Sequence, residues 1–323
     1  MDCCDPAVAG AGLLVGVVVG LTGMGGGALM TPVLIMFFGV PPLAAVSSDV
    51  VASFFMKPIG GLVHLRRGTV HLGLVRWLCV GSIPGAFCGV LMLRALGSGE
   101  RLTDVLLVVM GAVLVVASVG LVAKAYLNLL DRQRRRMAGR QAAPEQAIAT
   151  VSVRPLATAL VGAGGGVVVG MTSVGAGSLM IVALLLLYPS LRAGQLVGTD
   201  LVQAVPLVAS ASLGHVLFGD FALGLTGSVL VGAIPGVWLG ARLSSRSRGG
   251  LVRRALAMVL LASGLKLLGV PTGLVLVIVG AALVGGSLTW AWFRTRLGEP
   301  PRNWQRRLRR PVGPGPEEPP APR

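Results

Sequence analysis

Charged residues are scarce in this sequence, and acidic residues are the scarcest. Only 12% of its 323 residues are charged, with 12 Asp and Glu against 28 Lys and Arg. A soluble domain carries about 25% charged residues, because its surface has to face water. The low charge, a hydrophobic content of 54% and a mean hydropathy of +0.82 exclude a soluble globular domain. They predict a protein whose apolar surface faces lipid.

Cysteine and catalytic residue patterns are also missing. The four cysteines are Cys3, Cys4, Cys79 and Cys88. The last two are nine residues apart, which places them on opposite sides of a helix and disfavours both a disulfide and a metal pair. No nucleophile with its base and no metal triad is recognisable. The sequence therefore predicts neither an enzyme nor a cofactor.

The net charge of +16 raises the question of a nucleic-acid partner. The basic residues, however, gather at the edges of apolar runs, as at Arg132–Arg140, Arg242–Arg254 and Arg302–Arg310. Cytoplasmic loops of membrane proteins show this placement, whereas a nucleic-acid site needs one coherent basic face. We therefore expect a lipid bilayer as the environment and no nucleic-acid partner.

Long apolar runs without alternation predict an all-α polytopic membrane protein with about 9–11 membrane segments. Basic loops orient these segments: the N-terminus, which has no Lys or Arg, is predicted outside and the C-terminus in the cytoplasm. Arg94 and Arg101 are the exception to this orientation. The predicted location is the cell (inner or plasma) membrane, crossed several times.

The chain contains an internal repeat, whose two copies are offset by about 150 residues. Gly16-VVVGLTGMGGGAL-Met30 returns as Gly166-VVVGMTSVGAGSL-Met180, with ten of fifteen positions identical. With one residue of slippage Asp49 matches Asp200, and Gly81–Gly85 matches Gly232–Gly236. A duplicated apolar unit is the pattern on which many transporters are built.

Counting apolar runs predicts that the two copies have inverted topology, since five crossings separate their starts. The predicted organisation is a first membrane repeat at 1–126 and a basic cytoplasmic linker at 127–153. A second repeat with an extra span follows at 154–294. A Pro-rich tail, predicted to be disordered and cytoplasmic, occupies 295–323.

The first two apolar runs of each repeat are too short to cross a membrane. Ala7–Leu21 would form a helix of about 22 Å against a hydrocarbon core of about 30 Å. The glycine-rich stretches Gly23–Gly27 and Ser173–Gly177, here called the first and second glycine turns, separate the short runs in the two copies. We predict Gly-hinged short or re-entrant helices that turn within the membrane. Close helix packing at the glycines is the alternative.

Glycine turns of this kind can bind an anion. The turn offers unpaired backbone N–H groups, and the positive end of the following helix dipole points toward the anion. Glycine has no side chain, so the anion can approach the backbone closely. The predicted substrate-binding residues are Thr22, Gly23, Gly25, Gly26, Gly27, Thr172, Ser173, Gly175, Gly177 and Ser178.

Few ionisable residues lie within the apolar runs, and each is a functional candidate. Asp49 and Asp200 occupy equivalent places, with helix N-capping as the alternative. Lys57 can neutralise Asp49 or bind an anion, with snorkelling to the interface as the alternative. An ionised carboxylate repels an anion unless it is paired or protonated, so proton coupling is conceivable. The predicted coupling or polar-lining residues are Asp49, Lys57, Thr199, Asp200 and Gln203.

His64 and His215 also match across the repeat. Both fall at the ends of apolar runs, where interfacial packing or a loop hydrogen bond is the expected role rather than proton relay.

Four stretches of the chain resemble the TauE/SafE (sulfite exporter, TSUP) family of membrane permeases. They are GMGGGALMTPVLIMFFGV at 23–40, SSD at 47–49, GTDLVQAVPL at 198–207 and GAIPGVWLGARL at 232–243. The resemblance implies a secondary transporter of small sulfur-containing anions such as sulfite, sulfonates and sulfoacetate. It also implies that the glycine turns lie near the substrate.

These observations predict a secondary transporter or exporter of a small anion that works by alternating access. A divalent metal-ion permease is the alternative, although transition-metal sites need clusters of His, Cys or carboxylate that the apolar runs do not contain. The sequence leaves the particular anion, the direction of transport and the oligomeric state open.

Overall fold

The computed structural model describes residues 5–22, 26–66, 68, 70–97, 99–137, 152–175, 177, 179–189, 191, 193–244 and 249–296. Within these ranges the regular structure is entirely helical. The predicted all-α polytopic class is therefore confirmed. The helices through Val279 form one compact unit, and the core and the candidate site lie within it.

Eleven helices occur in the described part of the chain. In order they are α1 (Pro6–Thr22), α2 (Gly27–Phe38), α3 (Pro42–Arg66), α4 (Leu72–Ala95), α5 (Glu100–Met137), α6 (Pro155–Thr172), α7 (Leu179–Leu187), α8 (Ala193–Phe218), α9 (Leu223–Ser244), α10 (Gly249–Leu267) and α11 (Thr272–Arg296). The predicted linker at 127–153 thus begins inside α5, which continues as a helix through Met137. The part of the proposed tail after Arg296 lies outside the described residues.

Helix length and hydropathy separate spanning from short helices. Among the described residues, six helices are long and apolar enough to cross a membrane, namely α4, α5, α6, α8, α9 and α11. By contrast α2 has 12 residues and α7 has nine, which makes them only about 18 Å and 14 Å long. These two short helices follow the two glycine turns, so each turn interrupts the chain before a helix that cannot span a bilayer.

Glycines bring two helix pairs into backbone contact. In the pair α4–α6, a Cβ added at Gly81 would lie 1.9 Å from the Ala159 carbonyl oxygen. In the pair α1–α9, a Cβ added at Gly232 would lie 1.8 Å from the carbonyl oxygen of Ala9. Only glycine allows such an approach, as in the small-residue contacts of membrane helices. The α4–α6 and α1–α9 contacts are alike because of the sequence repeat, in which α6 matches α1 and α9 matches α4.

The repeat-related helices α3 and α8 run antiparallel. Ser47 of α3 contacts His215 of α8, and Ser212 donates to the Val50 carbonyl oxygen at 3.2 Å. Further along α3, Gly61 approaches Leu201, so residue numbers rise on one helix as they fall on the other. α3 contributes Asp49 and Lys57 and α8 contributes Asp200, so this contact places the ionisable candidates in one region.

Large apolar side chains cover much of the helices' outer surface. Phe37, Leu160 and Leu186 are 79%, 64% and 78% exposed. Patches of this kind on many helices would cause a soluble protein to aggregate, whereas lipid accommodates them. The exposed surface therefore agrees with the membrane environment that the composition predicts.

Candidate functional site

The start of α2 and the end of α6 meet at their glycine turns. A Cβ added at Gly27, the first residue of α2, would lie 2.0 Å from the Ser173 carbonyl oxygen and 2.9 Å from its Oγ. Ser173 follows α6 and has a left-handed backbone with φ of 59°, which non-glycine residues rarely adopt. The two turns are 150 residues apart in the sequence but touch in the fold.

Asp49 links α2 to the second glycine turn. Its Oδ2 accepts hydrogen bonds from Thr31 Oγ1 of α2 at 2.8 Å and from Ser173 Oγ at 2.7 Å. Asp49 is fully buried and is the eighth residue of α3. The N-capping alternative is therefore wrong for Asp49, because its carboxylate reaches across to other helices instead of binding the start of its own. Hydrogen bonds to a carboxylate are stronger than neutral ones, so this group holds α2, α3 and the end of α6 together.

Lys57 and Asp200 complete a buried charge cluster with Asp49. Lys57 is 7% exposed and is close enough to interact electrostatically with both carboxylates. The snorkelling alternative is wrong, since the ammonium stays among these groups in the interior. Asp200 is the eighth residue of α8, so it does not cap its helix either. Two carboxylates and one ammonium give this cluster a formal charge of −1.

Asp200 is part of a hydrogen-bonded chain that reaches α4. Gln203 Nε2 donates to Asp200 Oδ1 at 3.3 Å, and Ser82 Oγ donates to Gln203 Oε1 at 3.1 Å. Each of these three side chains is at least 99% buried. A buried polar network is costly unless its members are paired, and this chain fixes the Asp200 carboxylate at the contact between α4 and α8.

The other predicted residues divide into three groups. Gly26 lies beside Asp49, and a Cβ there would be 3.6 Å from Asp49 Oδ1. Thr199 and Thr172 form hydrogen bonds with backbone groups. Thr199 Oγ1 accepts from the amide of His71 at the start of α4, and Thr172 Oγ1 donates to the Val168 carbonyl oxygen. The residues outside the described part are Gly23, Gly25 and Ser178, together with the side chain of Thr22.

The second glycine turn has apolar surroundings. Gly175 has φ of 119°, and a Cβ added to it would meet Leu179 Cδ1 at 3.1 Å and Val168 Cγ1 at 3.5 Å. Gly177 is partly exposed. Of the described residues of this turn, only Ser173 reaches the polar cluster, so the two turns are not equivalent in their surroundings.

His215 is more deeply buried than the sequence suggested. It lies in the last turn of α8 as expected but has no exposed surface. Its Nδ1 is 2.9 Å from Ser47 Oγ and its Nε2 is 2.7 Å from the Gly170 carbonyl oxygen. A carbonyl can only accept, so Nε2 carries the proton and Nδ1 accepts from Ser47. Its hydrogen bonds go to residues of α3 and α6 rather than to a loop. The match with His64 was the only sign of its importance in the sequence.

Replacing His215 with phenylalanine should lower the thermal stability of the protein. The variant keeps a ring of similar size but leaves Ser47 Oγ and the Gly170 carbonyl unpaired, at about 1–3 kcal/mol for each buried group. The measurement is thermal unfolding of the purified full chain in detergent. His71→Phe is the comparison, because His71 is partly exposed and makes one side-chain hydrogen bond, accepting from the Leu74 amide at 3.3 Å as the N-cap of α4, so a smaller loss is expected there. An equal loss of stability in the two variants would contradict the role assigned to His215.

The architecture defines a class of protein. An all-helical membrane chain with helices interrupted at a buried charged site has a construction found in membrane transporters. A family model described as sulfite exporter TauE/SafE matches residues 8–267. The chain belongs to the TauE/SafE family and is a membrane transporter. This agrees with the expectation that it is not an enzyme.

Relatives from Bacillus subtilis (strain 168) carry compatible descriptions. The chain is 35% identical over 258 residues to the probable membrane transporter protein YjnA, covering 80% of this chain and 97% of the relative. It is 23% identical over 262 residues to the probable membrane transporter protein YdhB, covering 79% and 96%. A 77-residue stretch is 35% identical to the probable membrane transporter protein YunE, covering 24% and 26%. No solved structure matches the chain significantly.

Proposed function

We propose that this transporter moves a small sulfur-containing anion, of the sulfite, sulfonate or sulfoacetate class, across the cell membrane. The observation that carries the proposal is the meeting of Gly27 and Ser173 beside the buried Asp49, with the buried Lys57 close enough to interact electrostatically with Asp49 and Asp200. The description of the family as sulfite exporters supports the sulfur-anion class. The proposed substrate residues are those of the two glycine turns and their flanking hydroxyls.

The chemistry near Gly26 suits an anion. Gly26 is the N-cap of α2 and has no side chain of its own; the atom nearest to a Cβ there would be Met56 Cε at 3.1 Å, the end of a flexible side chain. The helix N-terminus carries a partial positive charge and free amide donors. Lys57 adds a full positive charge that is buried and therefore weakly screened. Ser53 Oγ, a buried hydroxyl without a partner, supplies a further donor.

Alternating access is the proposed mechanism, with the two repeats moving relative to each other. The antiparallel contact between α3 and α8 supports inverted repeats. The helices α5 and α10 also run antiparallel. Ser118 of α5 donates to the Ala257 carbonyl oxygen of α10, while Gly111, earlier in α5, approaches Leu268 just after α10. The proposed repeats are 1–126 and 154–294, joined by a cytoplasmic linker at 127–153. The N-terminus would lie outside, and the tail at 295–323 would be cytoplasmic.

A divalent metal-ion permease is the competing function. Transition-metal sites combine several His, Cys or carboxylate ligands. In the described part of the chain no group of three or more such residues could hold a metal ion. The Lys57 ammonium interacts with both carboxylates and so competes with a metal ion for them, which favours the anion.

Ligand-induced stabilisation of the purified protein tests this proposal. The panel contains sulfite, isethionate, sulfoacetate, thiosulfate, phosphate, chloride, Mn²⁺ and Zn²⁺. A ligand present at a hundred times its dissociation constant should stabilise the folded state by about 2.7 kcal/mol. We expect the rise in unfolding temperature to be confined to the sulfur anions.

A matched pair of glycine variants locates the site. Gly26→Val should abolish the ligand-induced rise, because its side chain enters the space beside Asp49 and Ser53. Gly164→Val should keep it, since no atom lies within 4 Å of a Cβ at Gly164. Stabilisation by the metal ions alone would instead overturn the anion proposal.

A further inference from the structure

One oxygen of the buried charge cluster has no partner. Asp49 Oδ2 accepts two hydrogen bonds, whereas Asp49 Oδ1 accepts none, and Ser53 Oγ is also unpaired. Asp49 is fully buried and Ser53 is 1% exposed. An unpaired buried polar atom is costly and uncommon in native proteins. Two of them at one place therefore indicate a position where a proton or ligand binds.

The unpaired oxygen lies at the start of α2. A Cβ added at Gly26 would be 3.6 Å from Asp49 Oδ1 and 3.8 Å from Ser53 Oγ. Ser53 is four residues after Asp49, so both side chains project from the same face of α3. The carboxylate thus occupies the end of a helix dipole that attracts negative charge. An anion drawn to this helix end meets Asp49 there, and the two charges repel each other.

Charge balance decides what must accompany the anion. The cluster of Asp49, Asp200 and Lys57 has a charge of −1, and a monovalent anion would bring the site to −2. Interactions among buried charges are strong because the surroundings have a low dielectric constant. A proton taken up by one carboxylate keeps the total at −1, so binding of the anion favours uptake of one proton.

The neighbouring helices supply few other groups that could take this proton. α2 and α6 carry no titratable side chain. α8 contributes Asp200 and His215, and α3 itself contributes Lys57, His64 and Arg66. The groups of α9 and of the first turns of α5 are exposed: Arg242, Glu100, Arg101 and Asp104. His215 is engaged at both ring nitrogens, and His64 is in the last turn of α3, 15 residues beyond Asp49 and so about 22 Å along the helix. The two carboxylates remain.

Asp49 and Asp200 differ in their hydrogen bonding. Asp200 Oδ1 already accepts from Gln203, which is itself held by Ser82. Asp200 is therefore fixed at the α4–α8 contact and serves as a counter-ion for Lys57. Asp49 presents an unpaired Oδ1 at the start of α2, in the region that also holds the unpaired Ser53 hydroxyl. The sequence repeat makes the two residues equivalent, but the tertiary contacts do not.

We propose that Asp49 Oδ1 binds one proton together with each transported anion, so that the transporter is a proton–anion symporter with Asp49 as its proton site. The proton is bound at Oδ1 on one side of the membrane and released from the same atom on the other. Neutralising Asp49 also weakens its two charge-assisted bonds from Thr31 and Ser173. Proton binding thus loosens the contact between the glycine turns and links protonation to the movement of the two halves. This inference rests on the anion function proposed above.

Proteoliposomes containing the full chain test the proposal. The probe is isethionate, a sulfonate that keeps a charge of −1 over the working pH range. Isethionate uptake is measured with a radiolabel, luminal pH with a trapped dye, and membrane potential is set with potassium and valinomycin. The wild-type protein should acidify the lumen by one proton per isethionate, and its uptake should not depend on the membrane potential.

Two variants distinguish the roles of the Asp49 and Asp200 carboxylates. In Asp49→Asn, whose amide oxygen can still accept from Thr31 and Ser173, isethionate uptake should persist without proton movement and should become dependent on potential. In Asp200→Asn proton movement with the anion should be retained, because the anion still meets the Asp49 carboxylate at the start of α2 and is repelled by it whatever the total charge of the cluster. Proton movement that survives in Asp49→Asn and is lost in Asp200→Asn would overturn the assignment.

Measurements on the wild-type protein test the proposal even if the variants fail to fold. Isethionate uptake that is independent of pH, or that requires Na⁺ and moves no proton, would overturn the proton site while leaving the anion function intact. Absence of uptake of both isethionate and sulfite, with Mn²⁺ uptake instead, would overturn the proposed function and with it this inference.

Discussion

Lys57→Met should abolish anion binding and destabilise the folded protein. The variant keeps a side chain of similar length, but it leaves the Asp49 and Asp200 carboxylates buried without a counter-ion. Removing one partner of a buried ion pair costs about 3–5 kcal/mol. The charge of the cluster changes from −1 to −2, which adds repulsion of the incoming anion. We expect loss of the stabilisation by sulfite or isethionate and a lower unfolding temperature in detergent.

The double variant Lys57→Met/Asp200→Asn distinguishes two roles of Lys57. It restores the cluster to −1 with no ammonium present, so we expect stability to recover while anion binding remains lost. The side-chain amide introduced by Asp200→Asn would still offer an oxygen to Gln203, which keeps the α4–α8 contact. If the double variant binds the anion as the wild-type protein does, Lys57 only balances charge and does not contact the substrate.

Gly27→Ala should have the second large effect, through the contact between the two glycine turns. The added Cβ would lie 2.0 Å from the carbonyl oxygen of Ser173 and 2.8 Å from its carbonyl carbon. Backbone atoms cannot move aside as the end of a flexible side chain can. Overpacking of this kind costs about 1–3 kcal/mol, and separating the turns also weakens the 2.7 Å bond from Ser173 to Asp49. Initial transport rates in proteoliposomes should fall at least about tenfold, which corresponds to about 1.4 kcal/mol.

Gly10→Ala is the matched control, because it introduces the same side chain in the preceding helix. No atom lies within 4 Å of a Cβ at Gly10. We expect unchanged transport and a stability gain of up to about 1 kcal/mol from the better helix propensity of alanine. Equal transport rates in Gly27→Ala and Gly10→Ala would show that the contact between the turns is not needed for function.

Local sequence features predicted much of the architecture. Continuous apolar runs predicted the helices, since a chain in lipid must satisfy its backbone hydrogen bonds within each segment. The glycine turns correctly predicted where the short helices α2 and α7 begin, because glycine disfavours helix continuation. The motif resemblance led to the family that the comparison with known proteins confirmed.

The details of the site were less accessible to sequence reasoning. Asp49 and Asp200 sit at equivalent places in the repeat and could not be told apart. Thr199, which matches Ser48, supports the α4 backbone, whereas the Ser48 hydroxyl is unpaired. Ser53 was missed because one serine within an apolar run has no distinguishing pattern. Hydrogen bonds between distant segments determine these roles, and neither composition nor periodicity specifies their partners.

The sequence by itself determined the membrane class, the helices, the family and the short list of buried ionisable residues. These properties follow from hydrophobicity, chain length and local backbone preference, which each segment carries alone. Only the tertiary structure decided that Ser173 and Thr31 share one oxygen of Asp49 and that Gly26 and Ser53 flank the other. It also decided that His215 is buried between α3 and α6. The physical reason is that hydrogen bonding and charge pairing depend on distances of a few ångströms between residues that are often more than 100 positions apart in the chain.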